Sequence, residues 1–533
     1  MHVLVHFIFS IYTELTKLKA LLNAVKVLTW SLLLVGSVYS FEQPNIIWVV
    51  IEDASPDFGF NGNAVVSTPN IDALAARSHN FTNAFATSPV CSPSRSAFST
   101  GMHATSIDAH QHRTLAEQRK PLPDNTHLMT KFLKDAGYTT LLMGPLQKTD
   151  FNFQLMEEPF DFTDGEQQNP YGSYTHGDPS ISVFEGRAWK AYEKTDRKTP
   201  FFAQINFSEA HRGFVDNEQK TVVRDSVLLP PFYPDHRITR EVFSRYYETL
   251  EQLDSRIGLL LSDVERLGLA DNTILFVFSD HGRAMLRAKQ WLYDAGIKVP
   301  FLVHNPFKPT NIKDDKLVSL IDILPTTLAL AGIDIPRSIQ GKDIFDTTKG
   351  RQYVFAQKDR LGATEDRVRA IRDKRYKLIV NYFPDFPYTH FSGYKYLRYP
   401  TLTLMKVLEK QGKLTEFQSS WFSEKRPAME LYDLINDPHE TENLAYQPEQ
   451  KKVLDRLMSE LNKWIVETKD AGIYSEDPVL SEKLDEAEIK RVTKVMHERG
   501  LTFPLDDEIY LDWWMNEFDI HATSSTGQGF RQQ

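Results

Sequence analysis

The chain has 533 residues, 41% of them hydrophobic and 12% aromatic, which is enough for a sizeable core and predicts one large domain followed by a smaller one. A net charge of -10 excludes a nucleic-acid binder, which needs a basic surface to displace counterions. It does not exclude an anionic small substrate, because a few cations and a metal can dominate the local field.

The first forty residues are apolar and poor in acids, with Lys17, Lys19 and Lys26 ahead of the run Val27-Leu28-Thr29-Trp30-Ser31-Leu32-Leu33-Leu34-Val35-Gly36. Val38-Tyr39-Ser40 suits a cleavage site, so residues 1–40 read as a signal peptide. The run is short for a membrane span, so no stable membrane insertion is expected and the body of the protein is exported, periplasmic or secreted. Its single cysteine permits no disulfide within the chain.

Asn45-Ile46-Ile47-Trp48-Val49-Val50-Ile51 reads as a buried parallel strand that delivers Glu52 and Asp53 at its carboxyl end, where open α/β sheets place ligands. Adjacent side chains on a strand point to opposite faces, so both acids can serve one site only if the strand stops there, which Pro56 favours. Otherwise they cap the next turn. A helix opens at Thr68-Pro69, and then comes the stretch Ser88-Pro89-Val90-Cys91-Ser92-Pro93-Ser94-Arg95-Ser96-Ala97-Phe98-Ser99-Thr100-Gly101 around the lone cysteine. A free cysteine is ordinarily a small buried hydrophobe. Here Pro93 marks a short helix through Ala97 and Phe98, whose positive end and free amides would face Cys91.

Residues 127–138 form an amphipathic helix ended by Gly137, followed by the strand 139–143 and the turn Gly144-Pro145-Leu146-Gln147-Lys148-Thr149-Asp150. Residues 151–200 read as a surface excursion. The strand 201–207 ends in Ser208-Glu209-Ala210-His211, and a histidine just past a core strand suits either catalysis or a hydrogen-bonded turn. Residues 240–267 make a long helix whose stripe of Tyr246, Leu250, Leu253, Ile257, Leu260 and Leu261 is core. The strand 273–278 then delivers Ser279-Asp280-His281-Gly282, followed by Lys289, the strand 301–303 and a helix over 320–330. This alternation predicts a doubly wound α/β domain over 41–350, with a large, mostly parallel sheet flanked by helices. From residue 351 short strands at 353–356, 369–372, 376–380 and 430–434, then a helix at 448–465, predict a smaller α+β domain with an antiparallel sheet over 351–533. Trp513 and Trp514 suggest that the tail packs on the body.

Cys91-Ser92-Pro93-Ser94-Arg95, trailed by small and apolar residues to Gly101, resembles the signature of the type I sulfatases of the alkaline phosphatase superfamily, in which the cysteine is converted to formylglycine. Asp280-His281-Gly282 is similar to that family's second metal-binding element, and residues 288–300 to the stretch that holds a sulfate-binding lysine. Leu431-Tyr432-Asp433-Leu434, continuing to Ala445, is similar to its C-terminal signature, so the resemblance spans 45–445.

The resemblance implies an alkaline-phosphatase-like fold and hydrolysis of sulfate esters. It implies that Glu52, Asp53, Asp280 and His281, with the formylglycine from Cys91, hold one divalent cation; three carboxylates favour calcium, with magnesium second. It places Arg95, Lys148 and Lys289 on the transferring group, His211 as general acid, and Asp150 where the family has a histidine base. That last point is a departure, since a carboxylate is a weak base at neutral pH unless its pKa is raised. Glu-Asp in place of Asp-Asp, and the Lys-x-Asp element, look like a subset acting on sulfated polysaccharides. His110, His112, Arg113, Lys358, Arg360 and His390 are the expected substrate contacts, and the expected partners are a sulfated carbohydrate and a formylglycine-generating or sulfatase-maturing enzyme. Two readings stand beside this one: a phosphonate or phosphate diester hydrolase of the same superfamily, and a non-catalytic glycan-binding protein in which Cys91 stays unmodified.

Overall fold

In the computed structural model the described residues are 16, 18, 19, 43–144, 149–164, 180–195, 199–214, 220–362, 365–475 and 478–520. The predicted signal peptide lies, but for three residues, outside them, as does Lys148. Residues 1–43 and 44–533 are separate units, and both sheets belong to the second.

In chain order the main elements of the first sheet and its cover are β1 (Asn45–Ile51), α1 (Pro69–Ala75), β2 (His79–Phe85), α2 (Cys91–Thr100), α3 (Met129–Asp135), β3 (Thr139–Met143), β4 (Phe162–Thr163), α4 (Arg187–Tyr192), β5 (Phe201–Phe207), α5 (Arg237–Arg266), β6 (Thr273–Ser279), α6 (Asp294–Ile297), β7 (Lys298–Val299), β8 (Phe301–His304), β9 (Ile312–Ser319) and α7 (Ile323–Leu330). The sheet runs β4-β3-β5-β1-β6-β8-β2-β7, with β9 also on β2. The pairs β4-β3, β3-β5, β5-β1, β1-β6 and β2-β9 are parallel, while β8 runs against both β6 and β2, and β7 against β2.

The runs that form β1, β5 and β6 are predominantly apolar because both faces of these strands are covered. Ile47, Val49 and Ile51 face the side packed by α5, and Ile46, Trp48 and Val50 face the side packed by α2, α3 and α7. On that second side Trp48 meets the edges or faces of Phe98, Phe202 and Phe278 at 6.1, 5.1 and 6.0 Å between centroids, and its indole N–H donates to Thr327 at 3.0 Å. Each large apolar side chain so enclosed contributes about 1.5–3 kcal/mol.

A second sheet comes next, made of β10 (Val354–Lys358), β11 (Val368–Arg372), β12 (Tyr376–Asn381) and, after the helices α8 (Gly393–Arg398), α9 (Pro400–Lys410) and α10 (Glu416–Ser419), β13 (Met429–Asp433). It is antiparallel throughout, in sequence order. One face receives Leu457, Leu461 and Trp464 of α11 (Lys451–Glu467), and the other joins the large core through Val354, Ala356, Ala370 and Ile379. Buried ion pairs tie the sheets: Asp294 of α6 accepts from Arg372 at 2.5 Å and from Lys377 at 2.8 Å, and these cations hold its carboxyl well below the usual range against the effect of burial.

The differences from the sequence expectation have physical causes. β9, Ile312-Lys313-Asp314-Asp315-Lys316-Leu317-Val318-Ser319, begins with exposed charged residues and so lacks an apolar run. The region expected to hold only short strands also contains α8 and α9, and the tail adds α12 (Pro478–Glu498) and α13 (Asp507–Glu517). Trp514 and Tyr510 of α13 are buried, and the Tyr510 hydroxyl donates to Tyr396 O at 3.1 Å, so the tail does pack on the body. Among the described residues no helix is long and apolar enough to cross a membrane.

His103, just after α2, sets its ring edge-on to Trp464 of α11 at 5.0 Å, and burial, helped by Arg351, lowers its pKa from 6.5 to about 3. The folded state therefore keeps His103 neutral where the unfolded chain takes a proton, so this contribution is complete above pH ~6.5 and is lost as the pH falls toward 3. Unfolding of the wild type is expected to lose about 1.4 kcal/mol per pH unit more than unfolding of His103→Gln between pH 6 and 4. Equal slopes in denaturant titrations at several pH values would contradict this.

Candidate active site

The register of the three central strands builds the site. Ile51 lies opposite both Phe207 and Ser279, so β1, β5 and β6 end level and release Glu52-Asp53, Ser208 to His211, and Asp280-His281 side by side. Backbone bonds continue past the strand ends, from Glu52 N to Phe207 O at 2.9 Å and from Asp280 N to Ile51 O at 3.0 Å. Asp53 then turns into the left-handed region, at φ 61°, and its N–H donates to Asp280 Oδ1 at 3.1 Å. That turn lets two adjacent acids serve one site, which an extended strand could not do. Gly282 follows as a glycine because a Cβ there would lie 2.1 Å from Ala295 O.

Cys91 is the first residue of α2, and Pro93 falls in the first turn, where its missing N–H costs nothing. The polar residues of the motif then hold separate parts of the site. The hydroxyl of Ser92 accepts from Arg113 N at 3.0 Å, and that of Ser94 donates to Asp280 O at 2.5 Å. Arg95 donates to the Asp280 carboxylate and to Asn206 Oδ1, both at 3.0 Å, and Ser96 accepts from Asn152 N at 2.9 Å. The Asn152 amide in turn donates to Ala109 O at 3.3 Å and Gln111 O at 2.5 Å, fixing the loop 109–114 beside the cysteine.

Ligand atoms of Asp53, Cys91, Asp280 and His281 all lie within 4.8 Å of one another. Glu52 Oε1 stands 3.6 Å from the Cys91 sulfur, His281 Nε2 3.3 Å and Lys289 Nζ 3.7 Å. His281 Nδ1 donates to Gly282 O at 2.9 Å, which turns Nε2 toward Asp53 Oδ1 at 3.1 Å and Asp280 Oδ1 at 3.7 Å. An imidazole nitrogen and two carboxylates turned on one point make a set that a shared cation would satisfy.

The charges agree. Glu52, Asp53 and Asp280 are wholly buried, and the cations among them are Arg95 and Lys289, so the cluster carries an excess of negative charge. Burial pushes the Asp53 carboxyl up, with Lys289 and His281 opposing and Glu52 and Asp280 adding to the rise. Burial disfavours the charge on Lys289, yet Asp53, at 2.8 Å from Nζ through both oxygens, holds its pKa well above the ordinary value. Arg95 stays charged in the same way against burial, through Asp280 first, then Glu52, Cys91 and Asp150.

His211 reaches the cluster, with Nε2 3.9 Å from Asp53 Oδ2. Asp150 is buried, at φ 53°, and acts on Arg95 through space. His110 lies 3.7 Å from Asp108, and Arg113 is tied to Ser92 by its backbone. His112 N donates to Arg360 O at 3.0 Å, while the Arg360 guanidinium donates to the carbonyls of His112 and Gly362 at 3.1 and 2.8 Å, so these two residues lock loops together. Lys358 pairs with Asp366 at 2.8 Å, and His390 donates to Pro387 O at 3.4 Å. The sequence reasoning missed Tyr394 and Tyr399: the Tyr394 ring lies 5.2 Å from Lys289 Nζ, and both hydroxyls are buried without a hydrogen-bond partner. It also missed Asn206, for which a signal existed, since Gln204 and Asn206 are the polar residues of an otherwise apolar strand.

A family model described as Sulfatase matches residues 44–333, and one described as N-sulphoglucosamine sulphohydrolase, C-terminal, matches residues 282–391. An ulvan-active sulfatase of Formosa agariphila is 30% identical over 502 residues, covering 88% of this chain and 83% of the relative. The human N-sulphoglucosamine sulphohydrolase is 26% identical over 506 residues, covering 85% and 96%. Among solved structures, a protein in complex with its substrate D-glucosamine-2-N,6-O-disulfate superposes with a TM-score of 0.59 at 18% identity, covering 80% of this chain and 98% of that one. A phosphonate monoester hydrolase from Silicibacter pomeroyi gives the same TM-score, 0.59, at 17% identity, covering 81% and 97%, so the fold is shared across both chemistries. With a family match over more than half of its length and a relative 30% identical across most of it, the chain belongs to the sulfatase family and is a sulfuric ester hydrolase.

Proposed function

We propose that this enzyme removes sulfate from a sulfated polysaccharide or its oligosaccharides, using a formylglycine made from Cys91 and a calcium ion. The observation that carries this reading is the placement of Cys91 at the head of α2, within 3.7 Å of Lys289, His281 and Glu52 and amid buried carboxylates. The ulvan-active and N-sulphoglucosamine-specific names of the relatives support a carbohydrate substrate.

Glu52, Asp53, Asp280, His281 and position 91 would hold the cation, which supplies charge neutralisation and a lowered pKa at a bound oxygen. Imidazole is an uncommon partner for calcium, but the carboxylates make the set a hard one. Converted to formylglycine and hydrated, position 91 supplies one hydroxyl as nucleophile toward sulfur and a second for the expulsion of sulfate.

The chain's own residues do the rest. Arg95, Lys148 and Lys289 neutralise the sulfate oxygens, and the buried setting makes each charge count for more than it would in water. As the bond between sulfur and the sugar oxygen breaks, His211 gives its proton to that oxygen. Asp150 takes the proton of the second hydroxyl. His110, His112, Arg113, Lys358, Arg360 and His390 line the substrate side, Arg360 and His112 by fixing loops. Residues 41–350 are read as the catalytic domain and 351–533 as the smaller α+β domain and tail. Export by the segment 1–40 and modification by a formylglycine-generating or sulfatase-maturing enzyme complete the reading.

Mass spectrometry of the peptide spanning Cys91 from a co-expressing host is expected to show the aldehyde, and Cys91→Ala to lower turnover of an aryl sulfate by on the order of 10³-fold or more with an unchanged circular dichroism spectrum. A persistent thiol in active enzyme refutes the assignment. An aryl sulfate is expected to be turned over faster than an aryl phosphodiester; the reverse preference selects the phosphonate or phosphodiester reading. Removing metal with a chelator should abolish activity and lower Tm, with calcium restoring both better than magnesium, because a ligand bound only by the folded state stabilises it. Full activity in chelator would exclude the cation.

A further inference from the structure

Beside the catalytic cluster lies a second charged group of opposite balance. Asp366 accepts from Lys358 Nζ at 2.8 Å and from Arg426 Nη1 at 3.0 Å, and Lys395 acts on all three through space. Lys358, Asp366, Lys395 and Arg426 are 3%, 2%, 2% and 5% exposed. Two cations, Lys358 and Arg426, thus share one carboxylate, and Lys395 stands beside them with its pKa held well below the ordinary value by burial and by the charge of Lys358. Burial, with Lys395 and Lys358 adding to it, keeps His390 at their side neutral. Lys395 Nζ stands 5.0 Å from the centre of the Trp291 ring, and among the described residues it has no hydrogen-bond or ion-pair partner. An amine buried without a partner is costly whether or not it carries a proton, and an anion placed beside it would favour its protonated form. By contrast, Arg369 is matched by two acids, Asp359 and Asp470, at 2.9 and 2.6 Å.

The group adjoins the catalytic cluster on three sides of the chain. Lys395 follows Tyr394, whose ring lies 5.2 Å from Lys289 Nζ. Trp291 is two residues past Lys289. Lys358 follows Gln357, whose N–H donates at 2.8 Å to Thr87 O, four residues before Cys91. Phe386 and Phe391, which flank His390 in sequence, are 38% and 40% exposed and offer apolar faces of the kind that sugar rings cover.

We propose that Lys395, backed by Lys358 and Arg426 and lying beside Trp291, is a subsite for a second anionic group of the substrate, a carboxylate or a further sulfate, distinct from the sulfate that is cleaved. The identity of the substrate rests on the catalytic reading above; the subsite itself rests on the unmatched lysine. An enzyme built this way selects doubly charged sugars over singly charged ones.

The test uses full-length, formylglycine-bearing enzyme and its Lys395→Met variant with two substrate pairs: a sulfated disaccharide carrying a uronate against its carboxyl-reduced form, and D-glucosamine-2-N,6-O-disulfate against glucosamine 6-O-sulfate. In one pair the wild type is expected to prefer the doubly charged member by about 10- to 100-fold in kcat/KM, as one charged hydrogen bond warrants, and the variant to lose most of that preference. The pair that shows it tells carboxylate from sulfate. Without ligand, Lys395→Met should raise Tm, because it removes a buried polar group that has no partner, whereas a lysine that serves only packing would lower it on replacement. No preference in the wild type, a preference that survives in the variant, or a lowered Tm overturns the subsite. If no sulfate ester is hydrolysed at all, the catalytic reading fails instead; the subsite is then judged by calorimetric binding of each doubly charged sugar to Cys91→Ala protein with and without Lys395→Met, where equal affinities overturn it and a loss of about 10-fold or more supports it.

Discussion

The ion pair between Arg95 and Asp280, with both side chains wholly buried, is the constraint on which the rest of the site depends. Removing one partner of such a pair leaves a buried charge uncompensated, at about 3–5 kcal/mol. Its value here is positional. Arg95 stands one helical turn beyond Cys91, so fixing its guanidinium against the end of β6 and, through Asn206, against the end of β5 fixes the head of α2 over the level ends of the parallel strands. Ser94, bonded to the Asp280 carbonyl, pins the same junction from the backbone side. A short helix held at both its charge and its hydroxyls cannot rotate, and Cys91 stays against Lys289, His281 and Glu52.

The strands that carry this arrangement were legible because a strand buried on both faces has no freedom to alternate. The apolar runs at 45–51 and 201–207 mark β1 and β5 to the residue, and the acids and histidines that interrupt such runs mark their ends. How Glu52 and Asp53 could serve one site was not legible, since it depends on a left-handed turn that aspartate tolerates but does not announce. Tyr394, Tyr399 and Lys395 were hidden for a different reason. They arrive from the helix Gly393–Arg398 and the residue after it, far from Cys91 in sequence, in a region whose apolar spacing is unremarkable. Arg360 carries a second task that its loop position does not announce, since its guanidinium donates to the carbonyls of His112 and Gly362 and so ties loops together.

Charge is distributed within the site more tellingly than across the chain. Overall the protein is acidic, at -10, yet around Cys91 carboxylates outnumber cations, while around Asp366 the cations outnumber the acid. Neither imbalance is affordable in an apolar interior unless a counter-charge arrives. The first asks for a cation and the second for an anion, and they lie on either side of Tyr394 and Trp291.

A fold shared with phosphonate hydrolases cannot by itself choose the chemistry, because both reactions present tetrahedral oxyanions to the same strand ends. The counter-charges narrow the choice only in part. A cation at the carboxylates would leave the Cys91 cluster near neutrality, so the group transferred there should carry little charge of its own, as a sulfate ester, a phosphodiester or a phosphonate monoester does with its single negative charge. They disfavour only a dianionic phosphate monoester, which would bring a further negative charge to a place already supplied with three carboxylates. A further anion on the sugar would instead be met at Lys395, beside Trp291, a lysine that takes no part in the cluster at Cys91.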